Sequence, residues 1–378
     1  MEAHVRDPAA DLSLTLKPRT GAAQHAFRIA LLVLPVGVLG NIAYTWFATD
    51  RSLLGSLHAL PRAYLLAALA LALTPWITGS LRLLIWSRFL DYRVPLVEVL
   101  RMTLVIDLGS AVSPTAIGGE AFRWGMLVRH GVAPGHAATL ALLPKLEDAV
   151  FFMIAIPAAI VWTTAWRLPV VASSTRLLSE NVLTVVGLAL VVMIVSWLLG
   201  RAALRGHVGA RARRSGLRLW GRTRRRLRRT LRDARSSARF IAVGGKSWFA
   251  VTLTLTALHW IARYSVITAL ALFLGVPFDP VLFWLLQWVV FTMMSFVPTP
   301  GATGAAEVAF TAVYATLLPS GFIGIATAAW RMFTFYVPVG LAALLFPLLG
   351  RFTADSAPRL DRPPRAREYE RTRLPGGE

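Results

Sequence analysis

Eight stretches of this chain, at about residues 26–48, 61–86, 95–113, 136–166, 181–200, 247–275, 279–297 and 320–350, are apolar almost without interruption. Each is long enough to carry a helix through ~30 Å of hydrocarbon, which takes about 20 residues. A backbone in lipid must satisfy its own hydrogen bonds, so these blocks are expected to be helices. Charged residues make up 16% of the chain and apolar ones 56%, where a soluble domain carries about a quarter charged. The expected fold is all-α, a polytopic integral membrane protein.

The net charge of +21 is concentrated, not spread. It sits in the N-terminal arm, in the tail and in the segment from Arg201 to Arg239, which holds fifteen arginines. Cytoplasmic loops carry such an excess, with anionic inner-leaflet lipid as the expected neighbour. Trp220 is the one Phe, Trp or Tyr within the basic run, too few for a base-stacking platform, so nucleic acid is not the expected partner. The absence of cysteine removes thiol catalysis, iron–sulfur ligation and disulfides. The seven histidines show no metal-ligand spacing, and no cofactor or metal is expected.

Orientation follows from arginine and lysine. The arm 1–25, the basic linker 201–246 and the tail 351–378, which is expected to be disordered, all belong on the cytoplasmic side. The first membrane half then covers 26–200 and the second 247–350. These placements agree only if two shorter apolar blocks, 118–130 and 301–318, do not span. Block 95–113 would enter from the cytoplasm, break at Pro114 and return. Block 279–297 would enter from outside, break at Pro298 and Pro300, and return outward. Two re-entrant hairpins, about 95–130 and 279–318, would thus enter from opposite faces, as inverted repeats do. Abundant arginine fits a GC-rich bacterial genome, so the expected location is a bacterial inner membrane with both termini cytoplasmic.

The two breaks match in chemistry. The first has Pro114, Gly118, Gly119 and Glu120; the second has Pro300, Gly301, Gly304 and Glu307. Glu120 precedes Lys145 by 25 residues, and Glu307 precedes Arg331 by 24. Proline ends the incoming helix and glycine lets the backbone turn. The outgoing half-helix then presents unpaired N–H groups to the interior, which suits an anion such as phosphate. Paired broken helices of this kind mark a transporter site at a repeat interface. Asp107, Glu120, Lys145, Glu147, Asp148, Arg263, Glu307 and Arg331 all fall inside apolar blocks. Each costs at least ~2.5 kcal/mol at the bilayer centre, so each should face protein or a wet cavity.

The site expected from these residues has Lys145, Arg263 and Arg331 on a phosphate, with Glu120, Glu307 and Asp148 orienting them or carrying protons and Arg123 as its seventh member. Plainer roles stand beside it. Lys145–Asp148 and Glu120–Arg123 are i,i+3 pairs that could be structural. Glu307 could cap a helix, and Arg331 needs a partner from another segment. Arg263 has no counterpart in the other repeat. Arg82 and Arg88 are expected to snorkel to the inner surface. Trp46, Trp76, Trp86, Trp162 and Trp166 are expected to anchor block ends at the interface.

These residues carry a resemblance. The run Ser113-Pro114 through Gly118-Gly119-Glu120 to Arg123, with Gly131 and the Lys145 helix, is one part of it. The run Pro298 through Pro300-Gly301, Gly304 and Glu307, with Arg331, is the other. Over about residues 26–350 the chain resembles the transmembrane flippase region of lysyl-phosphatidylglycerol synthases and the stand-alone flippase-like bacterial membrane proteins that share it. The resemblance implies movement of a phospholipid or related amphiphile between leaflets. Where that family usually has arginine this chain has Lys145, which keeps charge but loses the bidentate fork. About 28 residues follow the last block, so no aminoacyl-transferase domain is expected and the chain should not itself make lysyl-lipid. The alternative is a membrane-embedded enzyme, of transferase type, acting on a lipid phosphate. No Gly-rich nucleotide loop occurs, so any driving energy would come from a gradient.

Overall fold

The computed structural model describes residues 39–40, 61–112, 118–163, 244–295, 299–319 and 321–353. The block at 26–48 apart from 39–40, the block at 181–200, the Arg201–Arg239 run, Pro114, Pro298, Trp46, Trp166 and residues 354–378 lie outside them. Among the described residues every regular element is helical. The elements are α1 (Ala63–Phe89), α2 (Leu96–Val112), α3 (Gly118–Arg129), α4 (Pro134–Thr163), α5 (Lys246–Tyr264), α6 (Val266–Leu274) and α7 (Pro280–Ser295). A 3-10 turn at Pro300–Ala302 leads to α8 (Ala305–Tyr314); α9 (Ile323–Arg331) passes through a π-helical turn, Met332–Tyr336, into α10 (Val337–Thr353). Four helical stretches are long and apolar enough to cross a membrane: Ala63–Phe89, Pro134–Thr163, Lys246–Leu274 and Ile323–Arg351.

Local chemistry sets where these helices start and stop. Asp279 precedes Pro280, and its Oδ1 accepts the N–H groups of Val281 (2.8 Å) and Leu282 (3.1 Å), so α7 begins with a capped first turn. α6 ends at Gly275, whose φ of 65° lets Val276 N–H return to Ala271 O at 3.0 Å. The block read as one segment at 247–275 is two helices meeting at Ser265 without leaving the span.

The two largest of four apolar clusters among the described residues gather around the α2–α3 pair and the α7–α8 pair. The first joins Leu83 and Trp86 of α1 to Val99 and Met102 of α2, Leu127 of α3 and Leu140 of α4. The second joins Ala68 and Ala72 of α1 to α6, α7, α8 and α9 through Leu270, Val290, Phe310 and Trp330. α1 therefore runs through both. Outside them, large apolar side chains stand exposed: Leu142, Leu146, Met153, Ile154, Val161 and Trp162 on α4, and Leu344 and Leu348 on α10. Arg82, Glu147, Glu307 and Arg331 are buried instead. Apolar outside and ionic inside is the arrangement that a lipid solvent demands.

The α2–α3 pair crosses at two glycines. A Cβ on Gly119 would stand 2.3 Å from Ile106 O and 2.7 Å from Ile106 Cα, and a Cβ on Gly109 would stand 2.6 Å from Gly119 Cα. Backbone cannot step aside as a side chain can, so the helices must separate if either glycine grows. Gly119→Ala is expected to lose about 1–3 kcal/mol, read as a lower midpoint in sodium dodecyl sulfate unfolding. Gly125→Ala, on the same helix with nothing within 4 Å of its Cβ position, should unfold like the wild type.

Candidate functional site

Between the two cores lies a cavity of about 720 Å³. Its wall includes Trp76 and Arg82 of α1, Asp107 of α2, Glu120 and Arg123 of α3, and Lys145 and Asp148 of α4. α5 adds His259, Trp260, Arg263 and Tyr264; the second helix pair adds Phe291 and Gly301, and Arg331 closes one side. Six of the seven residues expected to form the site therefore share one wall, and Glu307 stands behind Arg331.

The two break motifs make the same bond. In the first, Lys145 Nζ lies 3.3 Å from Glu120 Oε1. In the second, Arg331 Nε donates to Glu307 Oε1 at 3.1 Å. The glutamate after each break thus meets the cation of the following helix. Their surroundings differ: Lys145 is 58% exposed toward the cavity, whereas Arg331 is 1% exposed. Arg331 also donates to Gly301 O (3.0 Å) and lies over the Phe335 ring at 4.5 Å. Gly301 has φ 61°, and a Cβ there would meet Phe335 at 2.3 Å, so glycine alone fits between turn and ring. Glu307 does both things foreseen for it, since Oε2 accepts the Gly304 N–H at 2.8 Å and caps α8. Glu120 also pairs with Arg123, and Lys145 lies 3.8 Å from Asp148.

Three expectations are corrected. Arg82 does not snorkel: it is buried, with Nε on Glu147 Oε2 at 2.8 Å and Nη2 on Asp148 Oδ1 at 3.1 Å and Pro144 O at 2.7 Å. Trp86 is buried too, donating to Glu147 Oε1 at 2.6 Å. Trp76 donates to Asp107 Oδ2 at 2.7 Å. Thr252 and Thr256 of α5 complete the shell of Glu147 at 2.6 and 3.3 Å. The adjacent acids Glu147 and Asp148 were the available signal, since Lys145 cannot neutralise both. Trp162, by contrast, is 78% exposed.

Arg263, the member without a counterpart, takes a distinctive place. Its guanidinium lies 5.4 Å from the Phe291 ring centre. Among the described residues no carboxylate comes within 4 Å of it, while Arg82, Arg123, Lys145 and Arg331 each have one. Asp107 is the matching acid, bonded by Trp76 and by no cation within 4 Å among the described residues. Sequence reasoning noticed Asp107 but gave it no role. Trp260 was also missed; its Nε1 donates to Asp148 Oδ1 at 2.9 Å. Among the described residues no group of three or more His, Asp or Glu is placed to hold a metal ion.

A UPF0104 membrane protein of Archaeoglobus fulgidus is 24% identical over 321 residues, spanning 82% of this chain and 94% of that protein. The family model of the lysylphosphatidylglycerol synthase TM region matches residues 27–342, through both helix pairs and the cavity wall. This multi-pass membrane protein belongs to the lysylphosphatidylglycerol synthase transmembrane-region family.

Proposed function

We propose that the chain moves a phosphate-bearing lipid headgroup between leaflets through the cavity, while the acyl chains remain in lipid. The observation that carries this is Arg263, a cation on the wall of a half-open cavity between membrane-type helices, with no carboxylate within 4 Å among the described residues. A half-buried guanidinium within a membrane-type bundle favours a counter-ion, and a phosphate supplies one with matching geometry. The volume of about 720 Å³ falls within the range of about 300–1,000 Å³ usual for small-ligand sites. Lys145, exposed on the same wall, is the second contact.

The Glu120–Lys145 and Glu307–Arg331 pairs support a repeat built from two broken, re-entrant hairpins of opposite orientation. Rocking one repeat against the other would expose the cavity to each leaflet in turn. The basic arm and linker favour cytoplasmic termini, and the abundance of arginine favours a bacterial inner membrane. The transferase alternative needs an acid free to take part in covalent chemistry. Glu120, Asp148 and Glu307 are each held by a cation, so Asp107 is the acid that this alternative would have to use.

Fluorescent phospholipid in liposomes, quenched from outside by dithionite, tests the reading. The wild type is expected to expose inner-leaflet lipid faster than empty vesicles. Arg263→Gln is expected to slow this by at least roughly tenfold, the equivalent of one charge-assisted hydrogen bond, while unfolding at the wild-type midpoint. Wild-type rates equal to those of empty vesicles with phosphatidylglycerol, phosphatidylethanolamine and a polyprenyl phosphate would sink it.

A further inference from the structure

The cavity's charges pair off and leave two over. Arg82 is matched by Glu147 and Asp148, Arg123 by Glu120, Lys145 by Glu120 and Asp148, and Arg331 by Glu307. Arg263 and Asp107 remain, both on the wall and neither with an oppositely charged group within 4 Å among the described residues. Five cations and five carboxylates then balance. An anion arriving at Arg263 breaks that balance within a half-open cavity among membrane-type helices, where an uncompensated charge is disfavoured. One proton restores it.

We propose that Asp107 is a proton-binding site coupled to the anion at Arg263. When a phosphodiester headgroup occupies Arg263, Asp107 takes one proton from water; when the headgroup leaves, the proton returns to water. The proposal rests on the headgroup reading above and adds the coupling ion. The proton has a defined place. Trp76 Nε1 holds Oδ2 at 2.7 Å, so Oδ1 can be protonated without breaking that bond. The other acids are less suited: protonating Glu120 strands Arg123 and protonating Glu307 strands Arg331, while protonating Asp148 loosens both Arg82 and Lys145 at once.

The charged and titratable groups around Asp107 come from every side of the cavity. α1 contributes Arg82, α3 Glu120 and Arg123, α4 Lys145 and Asp148, α5 His259 and Arg263, and α9 Arg331. The Thr299–Ala302 turn and the Pro338–Val339 part of α10 bring no charge. His259 is the other group that could take a proton. Its Nδ1 lies 3.1 Å from Thr78 Oγ1, and a protonated ring would set a second cation one turn from Arg263 on α5, whereas a protonated Asp107 is neutral. It is the control.

The test uses the full chain in detergent micelles and dihexanoyl phosphatidylglycerol, whose phosphodiester does not itself titrate near neutrality. Calorimetric titration in two buffers of different ionisation enthalpy reads protons taken up per headgroup bound. The wild type and His259→Gln are expected to take up about one proton, with affinity falling by up to roughly tenfold per pH unit from about pH 6 to 8. Asp107→Asn should bind with no uptake and no such slope. Glycerophosphoglycerol, without acyl chains, forms a parallel arm. Proton uptake with it alone would support the proton site but assign the anion to a soluble phosphate ester. Binding by the wild type without uptake, or uptake lost in His259→Gln and kept in Asp107→Asn, overturns the proposal and leaves the headgroup reading standing. Binding of neither probe by folded wild-type protein overturns both.

Discussion

Arg331→Ala is expected to lower the stability of this protein by about 3–5 kcal/mol, because it leaves a mostly buried carboxylate without its cation. Glu307 would keep the Gly304 N–H but lose the guanidinium at 3.1 Å, and the turn would lose the bond from Arg331 to Gly301 O. Glu307→Ala should cost a similar amount, since it strands Arg331 and uncaps α8 together. The double variant should fall well short of the sum, as two changes to one pair do. Arg331→Lys keeps the charge but loses the fork and the stacking on Phe335, so only part of the loss should return. Unfolding midpoints in sodium dodecyl sulfate check this; additive single losses would mean the pair does not act as a unit. The same variants are poor probes of transport, because a slower rate would follow from damage to the fold. Arg263, with no ion pair among the described residues to break, separates the two.

Glu147→Ala should be as severe, again about 3–5 kcal/mol. Its carboxylate is fully buried and accepts from Arg82, Trp86, Thr252 and Thr256, thereby joining α1, α4 and α5. Glu147→Gln keeps the volume but turns one acceptor into a donor facing donors, so it should recover little. Replacing both Glu147 and Arg82 by methionine is expected to recover most of the loss, since well-packed apolar residues often equal a buried ion pair. If Glu147→Ala unfolds at the wild-type midpoint, the cluster is not a structural joint, and a functional role for Glu147 gains instead.

Much of this was legible before any coordinates. The apolar blocks at 61–86 and 136–166 lie within a residue or a few of α1 and α4, because in lipid a long apolar run has few other conformations available. The matched spacing of Glu120 to Lys145 and of Glu307 to Arg331 pointed to two pairs that do meet. The family resemblance, drawn from those motifs, agrees with the match over residues 27–342. Arg82 was misread because α1 is apolar on all sides, so its pattern does not say which face turns inward. A long side chain seven residues from the helix end can reach either the surface or the interior. Trp86 failed for the same reason: an indole near a block end suits headgroups, yet its N–H equally suits a buried carboxylate; Trp76, at the middle of α1, is too deep to be an interfacial anchor.

By itself the sequence determined the all-helical, multi-pass character, the two glycine-bearing breaks, the family and the residues able to carry charge into the membrane. These follow from run length and residue type, which do not depend on how the helices pack. Only the tertiary structure decided how the charges are matched. Which cation meets which carboxylate depends on the rotation of each helix about its own axis, and van der Waals packing between helices sets that rotation, because lipid attracts an apolar face no less than a neighbouring helix does. That packing is what sets Arg82 against Glu147 and leaves Arg263 and Asp107 on the cavity wall.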